Sequence, residues 1–144
     1  MITLIFSIRQ GLRITLSLVY LTCIALLSLL PPNDFPDIPL FKGADKIVHI
    51  CLYLGLTWLA CWSLHAEINR RFYFLVIFSS IGFGIIMEVF QLLMNMGRSF
   101  ELSDIIGNSI GTLFGAAIFL IMAQIKKKID LRMQWKRQIR HLEN

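Results

Sequence analysis

The 144-residue chain is 56% hydrophobic and 16% charged, with a mean hydropathy of +0.68. Soluble chains carry about 25% charged residues, so the composition excludes an ordinary soluble domain and reads as one integral membrane domain. The net charge of +5 does not point to nucleic acid, because the basic residues cluster at the ends of apolar runs.

Arg9 and Arg13 precede an apolar run, 14–30. It resembles a signal peptide, but Pro31-Pro32 follows it in place of a small-residue cleavage site. It is expected to be an uncleaved first transmembrane helix, with Met1–Phe6 lying along the interface or extending it. Residues 31–44 hold all four prolines and read as a loop. Asp45 is expected in the first turn of a second helix, 46–64, where the helix dipole favours its charge. A connection ending in Arg70-Arg71 leads to a third helix, 72–94. A short polar loop with Gly97 follows, then Ser103 as N-cap of a fourth helix, 104–124. Lys126-Lys127-Lys128 is expected to stop that helix at the membrane surface.

The fold expected is therefore all-α: a four-helix transmembrane bundle over 1–125, followed by a basic tail over 126–144. Of the 14 Lys and Arg residues, all but Lys42, Lys46 and Arg98 fall on one side. The positive-inside rule places that side, and both termini, in the cytoplasm. Leu131, Trp135, Ile139 and Leu142 form one stripe along the tail, which reads either as an interfacial helix on anionic lipid or as a solvated basic tail. Cys23, Cys51 and Cys61 lie in apolar segments without CxxC spacing and read as small buried apolar residues.

Function is sought where polar groups sit at membrane depth, because that placement is costly. Asp45, His49 and Tyr53 share one face of the second helix, Glu88 and Gln91 one face of the third, and Asp104 and Asn108 one face of the fourth. Glu88 lies about six residues, roughly 9 Å, inside its helix. All three faces reach similar depth at the end opposite the basic residues, so they are expected to converge on an outward-facing pocket. Tyr53 is either a member of that pocket or an interface aromatic. Gly111 and Gly115 continue the fourth helix's stripe and read as a close helix-packing surface. His65, Glu67, His141 and Glu143 read as surface residues, and Glu101 as a solvated loop carboxylate, with a place at the pocket rim as the alternative.

The series Asp45-Lys46-x-x-His49-x-x-x-Tyr53, Glu88-x-x-Gln91, Gly97-Arg98-Ser99-Phe100 and Asp104-x-x-x-Asn108-x-x-Gly111-x-x-x-Gly115 resembles the VanZ-like family over about 45–116. The family is named for a teicoplanin-resistance protein and has no settled biochemical activity. The resemblance implies a cell-envelope role and no particular reaction. The first helix and the tail carry no motif of it.

Three readings of the pocket follow. In the first it binds the anionic headgroup of an envelope lipid or lipid-linked precursor. The ligand-binding set is then Asp45, Lys46, His49, Tyr53, Glu88, Gln91, Arg98, Asp104 and Asn108, with helix N-termini, Lys46 and Arg98 meeting the phosphate. In the second it is a hydrolase or transferase acting on such a lipid, with His49 as base beside Glu88 or Asp104 and Arg98 stabilising an oxyanion. In the third it is a structural ion-pair network. No cofactor or metal is expected, since one His with two carboxylates is a weak zinc set. The partners expected are membrane lipids and no nucleic acid. Four helices are too few for alternating access unless the chain forms a homo-oligomer.

Overall fold

A computed structural model describes residues 2–30, 43–64, 69–94 and 100–142. The proline loop, His65, Glu67, Asn95, Gly97, Arg98, Ser99 and Glu143 lie outside the described residues. Five α-helices account for nearly all of the rest: α1 (Ile2–Ser7), α2 (Gln10–Leu29), α3 (Ala44–Ser63), α4 (Arg70–Met94) and α5 (Leu102–Leu142). The last four are each long and apolar enough to cross a membrane. Many large apolar side chains lie on the outside, among them Leu18, Phe78, Leu93 and Phe114, as a lipid-facing surface requires.

The apolar runs mark the helices well, with ends shifted by a few residues. α1 is a separate short helix, broken from α2 at Ile8-Arg9. α3 starts after Gly43, whose φ of 92° is a left-handed conformation that favours glycine. Asp45 and Asp104 do occupy the first turns of α3 and α5. Ser103 does not cap α5. The helix begins one residue earlier, and Ser103 donates its hydroxyl to Glu101 Oε2 at 3.1 Å.

The largest departure concerns the lysines at 126–128. They end the apolar stretch, not the helix, because α5 runs unbroken through them to Leu142. Lysine is a good helix former, and Lys126 is also paired with Asp130 four residues on, at 3.0 Å. The 41 residues of α5 reach about 60 Å at 1.5 Å per residue, roughly twice a hydrocarbon core. The tail is thus the continuation of a spanning helix, with Leu131 and Trp135 exposed along it.

α3 and α5 form the closest pair. A Cβ at Gly111 would fall on the carbonyl of Ile50, and one at Gly115 on that of Leu54, so both glycines are there to let the backbones meet. Gly107, one turn earlier, extends this surface against the Lys46 carbonyl. Tyr20 ties α2 to α3 by donating to Leu52 O at 3.3 Å. Of the cysteines only Cys61 is buried; Cys23 and Cys51 are exposed on the outer surface, where a thiol as apolar as these is at home in lipid.

Two apolar clusters fill the interior. Phe6, Cys61, Trp62, Val76 and Phe119 pack at the end bearing α1. Ile24, Tyr53 and Leu56 pack midway. The second sits directly beneath the polar residues at the opposite end.

Candidate functional site

The N-terminal turns of α3 and α5 and the C-terminal part of α4 bring the polar faces together. Their helix starts put two positive dipole ends at this end of the bundle. Lys46 is the hub of the rim. Its Nζ lies 2.7 Å from Asp45 Oδ2, 2.5 Å from Glu101 Oε2 and 2.5 Å from Asp104 Oδ1. Asp45 and Glu101 are half-exposed, whereas Asp104 is nearly buried. Lys46, together with the Ser103 hydroxyl, holds the Glu101 carboxyl below its ordinary range.

One layer deeper, His49 bridges α3 to α5. Its Nδ1 lies 3.0 Å from Asn108 Oδ1, and its Nε2 lies 3.6 Å from Asp104 Oδ2. An amide oxygen only accepts, so Nδ1 carries the proton. Nε2 is left facing a carboxylate.

Glu88 is the deepest charge and is 1% exposed. Its Oε2 accepts the Glu101 backbone N–H at 3.3 Å, and its Oε1 is buried without a hydrogen-bond partner. Tyr53 is also 1% exposed, stacks at a tilt on Phe83, and has a buried, unpartnered hydroxyl. It is therefore an interior residue and not an interface aromatic. Gly84 makes room for it: a Cβ there would lie 3.1 Å from Asn108 Nδ2 and 3.2 Å from Tyr53 Cε1.

The predicted residues thus divide. Asp45, Lys46, His49, Glu88, Asp104 and Asn108 come together, and Tyr53 closes the floor. Gln91 shares the Glu88 face, but its Nε2 donates to Ser28 O on α2 at 2.9 Å. Arg98 lies outside the described residues. Sequence reading overlooked Thr57 and Thr112, both fully buried with unpartnered hydroxyls. They continue the four-residue spacing from Tyr53 and Asn108, which was the available signal. An apolar groove of about 420 Å³ between α2, α3 and α4, lined by Leu18, Leu56 and Phe83 among others, shares no lining residue with the polar cluster.

Chemically, the cluster offers a fixed imidazole, buried carboxylate oxygens and a lysine already shared among acids. One ligand atom each from His49, Glu88 and Asp104 lies within 4.8 Å of the other two, and the same holds for Asp45, Glu101 and Asp104.

No curated protein and no solved structure matches the chain. The sequence model of the VanZ/LLP1 family matches residues 2–123, which takes in α1 and α2 as well as the motif-bearing helices and stops short of the basic tail. The chain belongs to the VanZ/LLP1 family, and it does so as a multi-pass membrane protein.

Proposed function

We propose that this protein is a cell-envelope member of its family that receives the phosphate-bearing headgroup of an envelope lipid or lipid-linked precursor in the polar end of its bundle. The observation that carries the reading is Glu88: an almost fully buried carboxylate with one oxygen unpartnered, beside a fixed His49. A network serving only to hold helices together satisfies its members, since an unpaired buried polar group costs about 1–3 kcal/mol. The N-termini of α3 and α5 favour a phosphate there, and Lys46 supplies positive charge. The reading takes the protein to be in the plasma membrane, and the basic-residue bias supports an orientation with both termini cytoplasmic and the pocket facing outward. Occupancy of a precursor headgroup would alter glycopeptide susceptibility by changing what the antibiotic reaches.

Mass spectrometry of lipids co-purified with the full chain tests the reading. An anionic phospholipid or precursor is expected, and its loss in Lys46→Ala and His49→Ala while both variants still accumulate in membranes. Equal lipid content in wild type and variants would overturn it.

The geometry of His49 favours one second reading, a lipid hydrolase or transferase. Asn108 holds the ring through Nδ1, and Asp104 lies 3.6 Å from Nε2, so a carboxylate stands beside an imidazole able to move a proton. That reading predicts a chemically altered envelope lipid in expressing cells. Identical lipid extracts with and without the protein would remove it.

A further inference from the structure

The electrostatics of the inner cluster are unbalanced. Among the described residues, Asp45, Glu101 and Asp104 share the ammonium of Lys46, and Glu88 lies behind them with only the Glu101 backbone N–H. Each of the three inner groups is anchored at one atom and open at another. His49 meets Asn108 through Nδ1, which leaves Nε2 facing Asp104 Oδ2 at 3.6 Å. Asp104 gives Oδ1 to Lys46. Glu88 gives Oε2 to the Glu101 backbone and keeps Oε1 buried without a partner.

A buried carboxylate with one oxygen left bare, within 4.8 Å of a second carboxylate and an imidazole nitrogen, calls for positive charge among them. The anchors are also those of a metal site. A ligating imidazole donates its other N–H to a carbonyl, and ligating carboxylates are themselves hydrogen-bonded. The Tyr53 hydroxyl, buried and unpartnered, adds a polar group at the floor.

We propose that His49, Glu88 and Asp104 form a divalent-cation site, with Asn108 and Lys46 as the residues that orient it. One imidazole and two carboxylates suit Mn²⁺ better than Ca²⁺, which takes oxygen ligands, or Zn²⁺, for which a single His is a weak set. Three protein ligands leave coordination positions open toward the rim. Resting on the headgroup reading, those positions would take a phosphate oxygen, which explains how so acidic a pocket accepts an anion.

The test uses the full chain in phosphatidylcholine nanodiscs, stripped with chelator and titrated with MnCl₂ while free Mn²⁺ is read by electron paramagnetic resonance. One equivalent is expected to bind. Asn108→Ala is expected to weaken binding at least about tenfold, and His49→Ala and Glu88→Gln more than that. Asp130→Asn, about seven turns along α5 from Asp104, controls for general loss of charge and is expected to leave binding within about twofold. Electron spin-echo modulation of the wild-type complex is expected to show a single ¹⁴N coupling from His49, so the result does not depend on any variant folding. Absence of saturable Mn²⁺ binding overturns the proposal. So does bound Mn²⁺ without a nitrogen coupling, which would place the cation at Asp45, Glu101 and Asp104 instead. Neither result bears on lipid co-purification, so this inference and the headgroup reading fail separately.

Discussion

The two ends of the bundle each bury a charge, and they treat it in opposite ways. At one end Arg13, 4% exposed, donates Nε to Ile8 O at 2.8 Å, Nη1 to Trp62 O at 3.2 Å and Nη2 to Phe6 O at 2.5 Å. Its guanidinium carbon also sits 5.3 Å from the centre of the Trp62 ring. These carbonyls lie at or just past the C-termini of α1 and α3, where helix dipoles favour a cation. At the other end Glu88 keeps one oxygen without a partner. A hydrogen bond from each guanidinium nitrogen marks Arg13 as a fastener between α1, α2 and α3. Incomplete satisfaction marks Glu88 as a group with something still to bind.

The contrast predicts a graded set of effects on stability. Breaking the fastener is expected to cost most. Arg13→Ala strands three carbonyls and should lower unfolding stability by about 3 kcal/mol or more, read by thermal unfolding in detergent. Arg13→Lys should not restore it, because a single ammonium does not reproduce the spread of guanidinium donors. A wild-type melting curve for Arg13→Ala would end the idea that this end is the structural one.

Gly111→Leu comes next. It wedges a side chain against the Ile50 carbonyl and should cost about 1–3 kcal/mol, as overpacking does. It should also separate His49 from Asn108, so stability and lipid co-purification fall together. Loss of one without the other would show that the α3–α5 contact does not position the pocket.

Glu88→Gln is expected to change stability by about 1 kcal/mol or less. The amide oxygen can still accept from the Glu101 backbone, and no partner is lost from Oε1. A destabilisation as large as that of Arg13→Ala would erase the distinction between the ends.

The smallest effect belongs to the rim. Lys46 and Ser103 hold the Glu101 carboxyl below its ordinary range. A depressed folded value means that the Lys46 contact stabilises above the unfolded carboxylate range and is lost as pH falls through the folded value. Stability should therefore decline slightly on acidification below the ordinary carboxylate range, and Glu101→Gln should remove that part of the decline. Glu101 is about half-exposed, so solvent screens the effect. An acid-unfolding curve unchanged by Glu101→Gln would show that this contact contributes nothing.

Arg13 and the tail show where sequence reading stops. By position Arg13 is one of the basic residues flanking an apolar run, and nothing in its neighbours says that it turns inward. Its partners are backbone carbonyls, which leave no mark in side-chain pattern, and two of the three belong to a different helix from its own. The lysines at 126–128 mark the end of apolarity faithfully, but a hydropathy boundary is not a helix boundary when the polar residues are themselves helix formers.

What the sequence by itself determined was the number of spanning helices, their approximate limits, the family, and which residues share a face on each helix. Helical periodicity fixes those faces within a single element, and the cost of burying polar groups in lipid makes the faces converge. Only the tertiary structure decided which atoms meet across helices. It made Lys46 common to three carboxylates, gave His49 Nδ1 to Asn108, directed Gln91 to Ser28, and left Glu88 Oε1 bare. Those pairings depend on how closely α3 and α5 approach over Gly107, Gly111 and Gly115. That approach is a matter of distance between backbones, and no pattern along one helix encodes it.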